Sequence, residues 1–225
     1  MRIILLLLLI GLIFQSCTAE PEVSLNTNQL MADIEYFSSD ELEGRYVGSE
    51  GSALAQAYLL KRFEELGAEK FQGSFNHPFT FERRGEELEG INLIGKISGE
   101  TEDVILISAH YDHLGVRDSL IYNGADDNAS GTAGLLALMD YFSQVEPVHT
   151  IVFAALDAEE GGLNGAVALA NDSTFMESVK LNINLDMISQ NQEKELYAVG
   201  TYHFPEFIPV LENVKTGDIN LLFGH

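Results

Sequence analysis

Four clusters of acidic residues and histidine occur in a fixed order along the chain: His110-Tyr111-Asp112, Asp126-Asp127, Glu159-Glu160 and Asn184-Leu185-Asp186. Imidazole and carboxylate hold divalent metals through nitrogen and oxygen, and a carboxylate beside a metal can also carry a proton. Each pair alone has a plainer reading as a helix cap or a surface feature. Asp126-Asp127 stands at the expected start of a helix, yet two adjacent aspartates exceed what a cap needs. Glu159-Glu160 is followed by Gly161-Gly162, so neighbouring carboxylates can point apart, one onto a metal and one toward a substrate proton. His110 can offer a neutral ring nitrogen. Asp112, two residues on, is placed to fix the tautomer and orientation of a ligand ring.

Three of these clusters end short apolar runs, Val104-Ile105-Leu106-Ile107, Ile151-Val152-Phe153-Ala154-Ala155-Leu156 and Leu181-Asn182-Ile183-Asn184-Leu185. Each has the length and β-branched content of a buried strand. In an open sheet the carboxyl ends of parallel strands lie side by side, so distant residues converge on one crevice. One imidazole and at least four carboxylates gathered there are costly to desolvate unless a cation sits among them. Around these strands the pattern predicts helices over 28–38, 52–66, 131–142, 165–170 and 204–211, and further strands over 71–81, 91–97 and 196–199. The fold class expected is α/β, a central mixed, mostly parallel sheet with helices on both faces.

The 225 residues, 46% hydrophobic, suffice for one such domain. A net charge of −23, from 35 acidic against 12 basic residues, repels nucleic acid and anionic lipid head groups. The acidic run at 82–89 reads as a solvated face. Arg2 followed by the apolar residues 3–14 has the length of a secretory signal and is short for a membrane span. Cys17, the only cysteine, follows at the position of a lipid-accepting cysteine, so the expectation is an exported, membrane-anchored lipoprotein, periplasmic or cell-surface. The organisation expected is a signal peptide over 1–17, a tether over 18–27 and a catalytic domain over 28–225.

The ordered set Ser108-Ala109-His110-Tyr111-Asp112-His113, Gly124-Ala125-Asp126-Asp127-Asn128-Ala129-Ser130-Gly131, Glu159-Glu160-Gly161 and Asn184-Leu185-Asp186-Met187 closely resembles the di-zinc aminopeptidases of the bacterial leucyl aminopeptidase type. Ser39-Asp40-Glu41-Leu42-Glu43-Gly44-Arg45 and Asn92-Leu93-Ile94-Gly95 resemble that family's N-terminal region, and the likeness runs from about residue 30 to residue 190. It implies that His110 and Asp186 hold one zinc, that Glu160 holds the other, and that Asp127 bridges both. Glu159 is implied as the general base, Asp112 as the support of His110, and the Asp127-Asn128 peptide bond as cis. Peptides with a free N-terminus are the implied substrates, attacked by water shared between two metals roughly 3.5–4 Å apart.

The family takes a last zinc-ligand histidine from a Tyr-His segment beyond the point corresponding to His225. The resemblance therefore implies a domain missing its C-terminal part, with at most one tightly held zinc, at His110, Asp127 and Asp186. His225 is not counted as a ligand. His113 reads as structural, with lining the pocket as its alternative, and His77, His149 and His203 read as loop or strand-end residues. Two other functions fit the same motifs: a glutaminyl cyclase, which works with one zinc and releases ammonia from an N-terminal glutamine, and a non-catalytic lipoprotein.

Overall fold

The two faces of the central strands carry separate cores. Leu93, Ile107, Ala109, Ile151, Phe153 and Ala155 belong to one buried cluster, whereas Ile94, Leu106, Val152, Ala154 and Leu156 belong to another. Alternate residues along a strand point to opposite faces, so both faces of this sheet are covered. The computed structural model of the chain describes residues 23–190 and 193–224. The expected signal segment, Cys17 and His225 lie outside the described residues.

Helices α1 (Thr27–Phe37) and α2 (Glu50–Glu65) come first. The Ser49 side chain caps α2 by accepting from the Ser52 N–H. Gly67 stops it in a left-handed conformation, its N–H bonded to Glu64 O and the next N–H, of Ala68, to Phe63 O, the paired bonds of a glycine-terminated helix. Strands β1 (Glu69–Lys70), β2 (Asn76–Arg83) and β3 (Glu86–Ile97) follow. β2 and β3 form a hairpin through Arg84-Gly85, both at positive φ, the backbone that a two-residue hairpin turn demands. Glu82, Glu86, Glu87 and Glu89 lie exposed near this turn, as a solvated face should.

β4 (Thr101–His110) leads to a small hairpin, β5 (Gly115–Arg117) and β6 (Leu120–Tyr122), then to α3 (Gly131–Ser143) and β7 (His149–Leu156). Short helices α4 (Asn164–Ala170) and α5 (Ser173–Ser178) precede β8 (Val179–Asn184). β9 (Glu195–Ala198) and β10 (Asn220–Phe223) pair separately, with α6 (Ile208–Leu211) between them. α1, α2 and α3 contribute to the first core, α4 and α5 to the second.

The main sheet runs β1-β3-β7-β4-β8, with β2 also on β3. It is mixed, but parallel only at β7-β4-β8; β1, β2 and β7 all pair antiparallel to β3. The parallel character is thus narrower than helix–strand alternation implies, because β2 and β3 are joined by a tight turn and need no crossover. The three parallel strands are those that end at the acidic clusters.

One expectation is corrected. The run 181–185 is not a buried strand: β8 lies beside β4 at the sheet's end, and Asn182, Ile183 and Asn184 are exposed. Its two asparagines pair locally, both side-chain carbonyls accepting from the Ser108 hydroxyl. The apolar residues alone do not reveal whether anything covers the strand.

Candidate metal centre

His110 is the last residue of β4, and Asp186 follows β8 by two residues. Parallel pairing of these strands carries both to one end of the sheet. There His110 Nε2 stands 3.3 Å from Asp127 Oδ1 and 3.5 Å from Asp186 Oδ1. Two ligand atoms each about 2.0–2.1 Å from one tetrahedral zinc lie about 3.3 Å apart, so this trio fits a shared cation. A second set adjoins it: His113 Nδ1 is 2.7 Å from Glu160 Oε1 and 3.9 Å from Asp127 Oδ1. Within each set the donor atoms all lie within 4.8 Å of one another, and Asp127 is common to both.

Asp112 orders the region around them. His110 Nδ1 faces the Asp112 main-chain carbonyl at 3.1 Å, nearer than the carboxylate at 3.6 Å. Donation from Nδ1–H to that carbonyl leaves Nε2 as the free lone pair. The buried Asp112 carboxylate accepts the N–H groups of Glu159 at 2.9 Å and Glu160 at 3.3 Å. One side chain thereby sets the turn from which both glutamates project.

The loop bearing Asp127 is irregular and heavily cross-linked. The Asp127–Asn128 peptide bond is cis, as the resemblance implied. Asn128, fully buried, donates to Leu185 O at 2.9 Å and accepts from the N–H groups of Gly131 at 2.9 Å and Met187 at 3.2 Å. Asp126 accepts from Ser189 and Gln190, and Ser130 from Ile188 N–H. Asp127 and Asp186 are therefore held together by their neighbours' polar groups. Arg45, wholly buried, donates to the carbonyls of Phe37, Tyr111, Asn123 and Gly124.

The electrostatics call for positive charge. Burial would lower the His110 pKa, but Asp112 and Asp186 outweigh it and raise it to about 10. Burial, reinforced by neighbouring carboxylates, raises Glu159 and Glu160, while burial lowers His113. Without a cation His110, Glu159 and Glu160 favour their protonated forms, which moderates the repulsion among the carboxylates; a divalent ion removes the need. The buried His113 Nδ1 and Glu160 Oε1 have no hydrogen-bond partner. A cavity of about 260 Å³ opens beside His110, Glu159 and Asp186, with Leu156, Leu163 and Leu169 on its walls.

The profile of Peptidase family M28 matches residues 92–217, more than half of the chain, and spans every residue named in the two donor sets. The chain belongs to peptidase family M28. This M28 chain is 30% identical over 154 residues to leucine aminopeptidase 1 of Aspergillus clavatus, covering 65% of the chain and 39% of that relative. It thus spans about two fifths of that relative's length. Its fold matches a glutaminyl cyclase from Fimbriiglobus ruber with a TM-score of 0.72 at 19% identity, over 84% of this chain and 71% of that one. A Zn-dependent exopeptidase from Parabacteroides distasonis matches with a TM-score of 0.70 at 16% identity, over 90% of this chain and 78% of that one.

In this M28 chain His110, Asp127, Glu160 and Asp186 all fall within the two donor sets, with Glu159 beside them and Asp112 beneath. Reasoning from the sequence left out His113, Arg45 and Asn128. In the sequence Arg45 stands out only within the Ser39–Arg45 motif, and Asn128 only within the Gly124–Gly131 motif. Nothing local marks a side chain whose partners lie dozens of residues away.

Proposed function

We propose that this M28 chain carries the metal-binding core of a zinc-dependent aminopeptidase. The observation that carries the reading is the sharing of Asp127 by two donor sets, each completed by one histidine and one further carboxylate. On this reading His110 and Asp186 hold one zinc, Glu160 holds the other, and Asp127 bridges them. Zinc supplies Lewis acidity toward the scissile carbonyl and makes a nearby water more acidic.

The chain's own residues do the rest. Glu159, half-buried and with its pKa raised, is suited to take a proton from the attacking water and pass it to the leaving amine. Asp112 keeps Glu159 aimed by holding its N–H. The surplus of carboxylates attracts a free α-ammonium group, which favours removal of N-terminal residues over internal cleavage.

Hydrolysis of amino-acid anilides by the zinc-loaded full-length protein tests this, with zinc content measured alongside. Glu159→Gln is expected to keep both zincs and lose about a hundredfold or more in turnover. Glu160→Gln is expected to lose zinc. Full activity in Glu159→Gln overturns the assignment of the base. Ammonia released from an N-terminal glutamine, with no free amino acid, would make the protein a glutaminyl cyclase, the activity of its structural neighbour from Fimbriiglobus ruber.

We also infer export and anchoring through Cys17, supported by the apolar segment ahead of it. Among the described residues no helix is long and apolar enough to cross a membrane. Cys17→Ser should move the protein from the membrane fraction to the soluble one; unchanged membrane association refutes lipidation.

A further inference from the structure

Cations are few in this chain, 12 basic residues against 35 acidic ones. Lys61, Arg62, Lys96, Lys180 and Lys194 form ion pairs, and Arg45 is enclosed by carbonyls. Among the described residues Arg83 and Arg117 form no ion pair; each is set on a tyrosine instead. The Arg83 guanidinium lies 5.5 Å from the centre of the Tyr46 ring and donates from Nη1 to its hydroxyl at 2.8 Å. The Arg117 guanidinium lies 5.9 Å from the centre of the Tyr122 ring. A ring face at that range orients a guanidinium and leaves N–H groups free for an acceptor with two oxygens.

Both arginines border the Glu160 side of the centre, by separate routes. Tyr46 follows Arg45, whose carbonyl accepts the His113 N–H, and His113 stands against Glu160. A Cβ at Gly115 would come within 2.7 Å of Tyr46 Cβ, so the start of β5 lies directly on that tyrosine. Gly115 pairs with Tyr122, and Arg117 is two residues further along β5. Alternate residues of a strand share a face, so Tyr46, Tyr122 and Arg117 gather on one side of this hairpin. From the other direction, Phe81 and Arg83 share the half-buried face of β2. The Phe81 ring would stand 3.6 Å from a Cβ at Gly161, the residue after Glu160. The Arg117 charge reaches Glu160 itself, where it pulls against the burial and the carboxylates that raise that pKa. The rim here is positive although the centre is strongly negative.

We propose that Arg83 and Arg117 bind a carboxylate of the peptide substrate beyond the scissile bond, so that the preferred substrates are short peptides with a negative charge close behind their free N-terminus. This assignment rests on the aminopeptidase reading above and names the substrate class for it. A surplus of carboxylates that attracts an α-ammonium group repels a carboxylate a little further along the same peptide. A dipeptide carries both charges. Two guanidinium groups at the rim reverse the sign of the field on one side of the centre, which matches the two ends of a zwitterion to different parts of the site. An acidic side chain in the second position presents the same chemistry as a C-terminal carboxylate.

The test compares leucyl-alanine with leucyl-alaninamide, and the amide of leucyl-aspartate with that of leucyl-asparagine, on the zinc-loaded full-length protein. Affinity is measured by calorimetry in Glu159→Gln, where peptide is held with little turnover, and KM in the parent. Leucyl-alanine is expected to bind about tenfold more tightly than its amide, the scale of one charge-assisted contact. Arg83→Gln and Arg117→Gln should each narrow that ratio to about threefold, and the double variant should abolish it, whereas Arg117→Lys should keep part of it. A general loss of structure would weaken acid and amide alike and leave the ratio unmoved. Preference for the aspartate peptide over the asparagine one, with none for leucyl-alanine over its amide, identifies the side chain as the source of the carboxylate. Equal affinity for acid and amide in both pairs, or ratios unchanged in the double variant, overturns the proposal and leaves the aminopeptidase reading standing as long as free leucine is released. Absence of leucine release from every peptide overturns that reading, and the proposal with it.

Discussion

β7 and β8 flank β4 on opposite sides, both parallel to it, and beyond its C-terminal end each delivers acidic residues to the same centre. Their surroundings differ. Every residue of β7 after His149 is buried, and Phe153 has no exposed surface, whereas β8 is open along most of its length. β7 is held by packing on both faces, and the turn after it is fixed by one buried carboxylate, that of Asp112. Past the end of β8, Leu185 reaches the first core, but its neighbours Asn184, Asp186 and Met187 are exposed. Asp186 is placed instead by polar links from the opposite loop, through Asn128, Ser130 and Asp126. One site is thus assembled by two physically different means, apolar burial on one side and hydrogen bonding on the other.

The contrast breaks most visibly at Phe153. Phe153→Ala should cost about 3–5 kcal/mol of unfolding free energy in urea titrations, the range for a buried aromatic cut to a methyl. Zinc at both positions should be lost together as the fold weakens. On the polar side, Asn128→Ala strands the Leu185 carbonyl and two N–H groups. A cost of about 2–4 kcal/mol is expected in the same titration. Here zinc at the His110 position should weaken while far-ultraviolet circular dichroism stays native. Equal loss of both zincs in Asn128→Ala would show that the two sides are not separable.

A pH series sharpens the comparison without mutation. With its pKa raised to about 10, His110 is protonated in the metal-free chain at neutral pH. Such a shift stabilises the metal-free fold below the unfolded value near 6.5 and fades as pH rises through about 10. Zinc needs the neutral ring, so binding expels the proton and apparent affinity climbs about tenfold per pH unit up to that point. Calorimetry in buffers of different ionisation enthalpy reads the proton directly; a buffer-independent enthalpy at pH 7.5 would contradict it. The smallest effect belongs to β8. Ile183→Ala, at a position 42% exposed, should change stability by no more than about 0.5 kcal/mol, and a loss several times larger would place a cover over that strand.

The same division explains what the amino-acid order reveals. His110, Glu159, Glu160 and Asp186 were legible because each ends a strand-like apolar run, and a parallel arrangement of such strands makes their ends meet. The helices over α1, α2 and α3 were legible from periodicity and, for α2, from Gly67. His113 was not, because residues three apart on a continuing strand face opposite ways; only the exit of the chain after His110 turns both rings to one centre. The β5-β6 hairpin was missed because it turns through Asp118-Ser119, both at positive φ, without the glycine that usually announces such a turn. The openness of β8 was misjudged because burial depends on what packs against a strand, which its own residues do not record.

Arg45 draws four carbonyls from three separate stretches of chain onto one guanidinium, at Phe37, Tyr111 and Asn123-Gly124. A group that keeps its charge in almost any environment cannot stay in the interior once any large part of that shell withdraws. The end of α1, the exit of β4 and the loop before Asp127 are therefore committed to opening as one event. Their amides should exchange with deuterium at a common rate, and the N-terminal helix, though it offers nothing to a metal, should become slower to exchange when zinc is added.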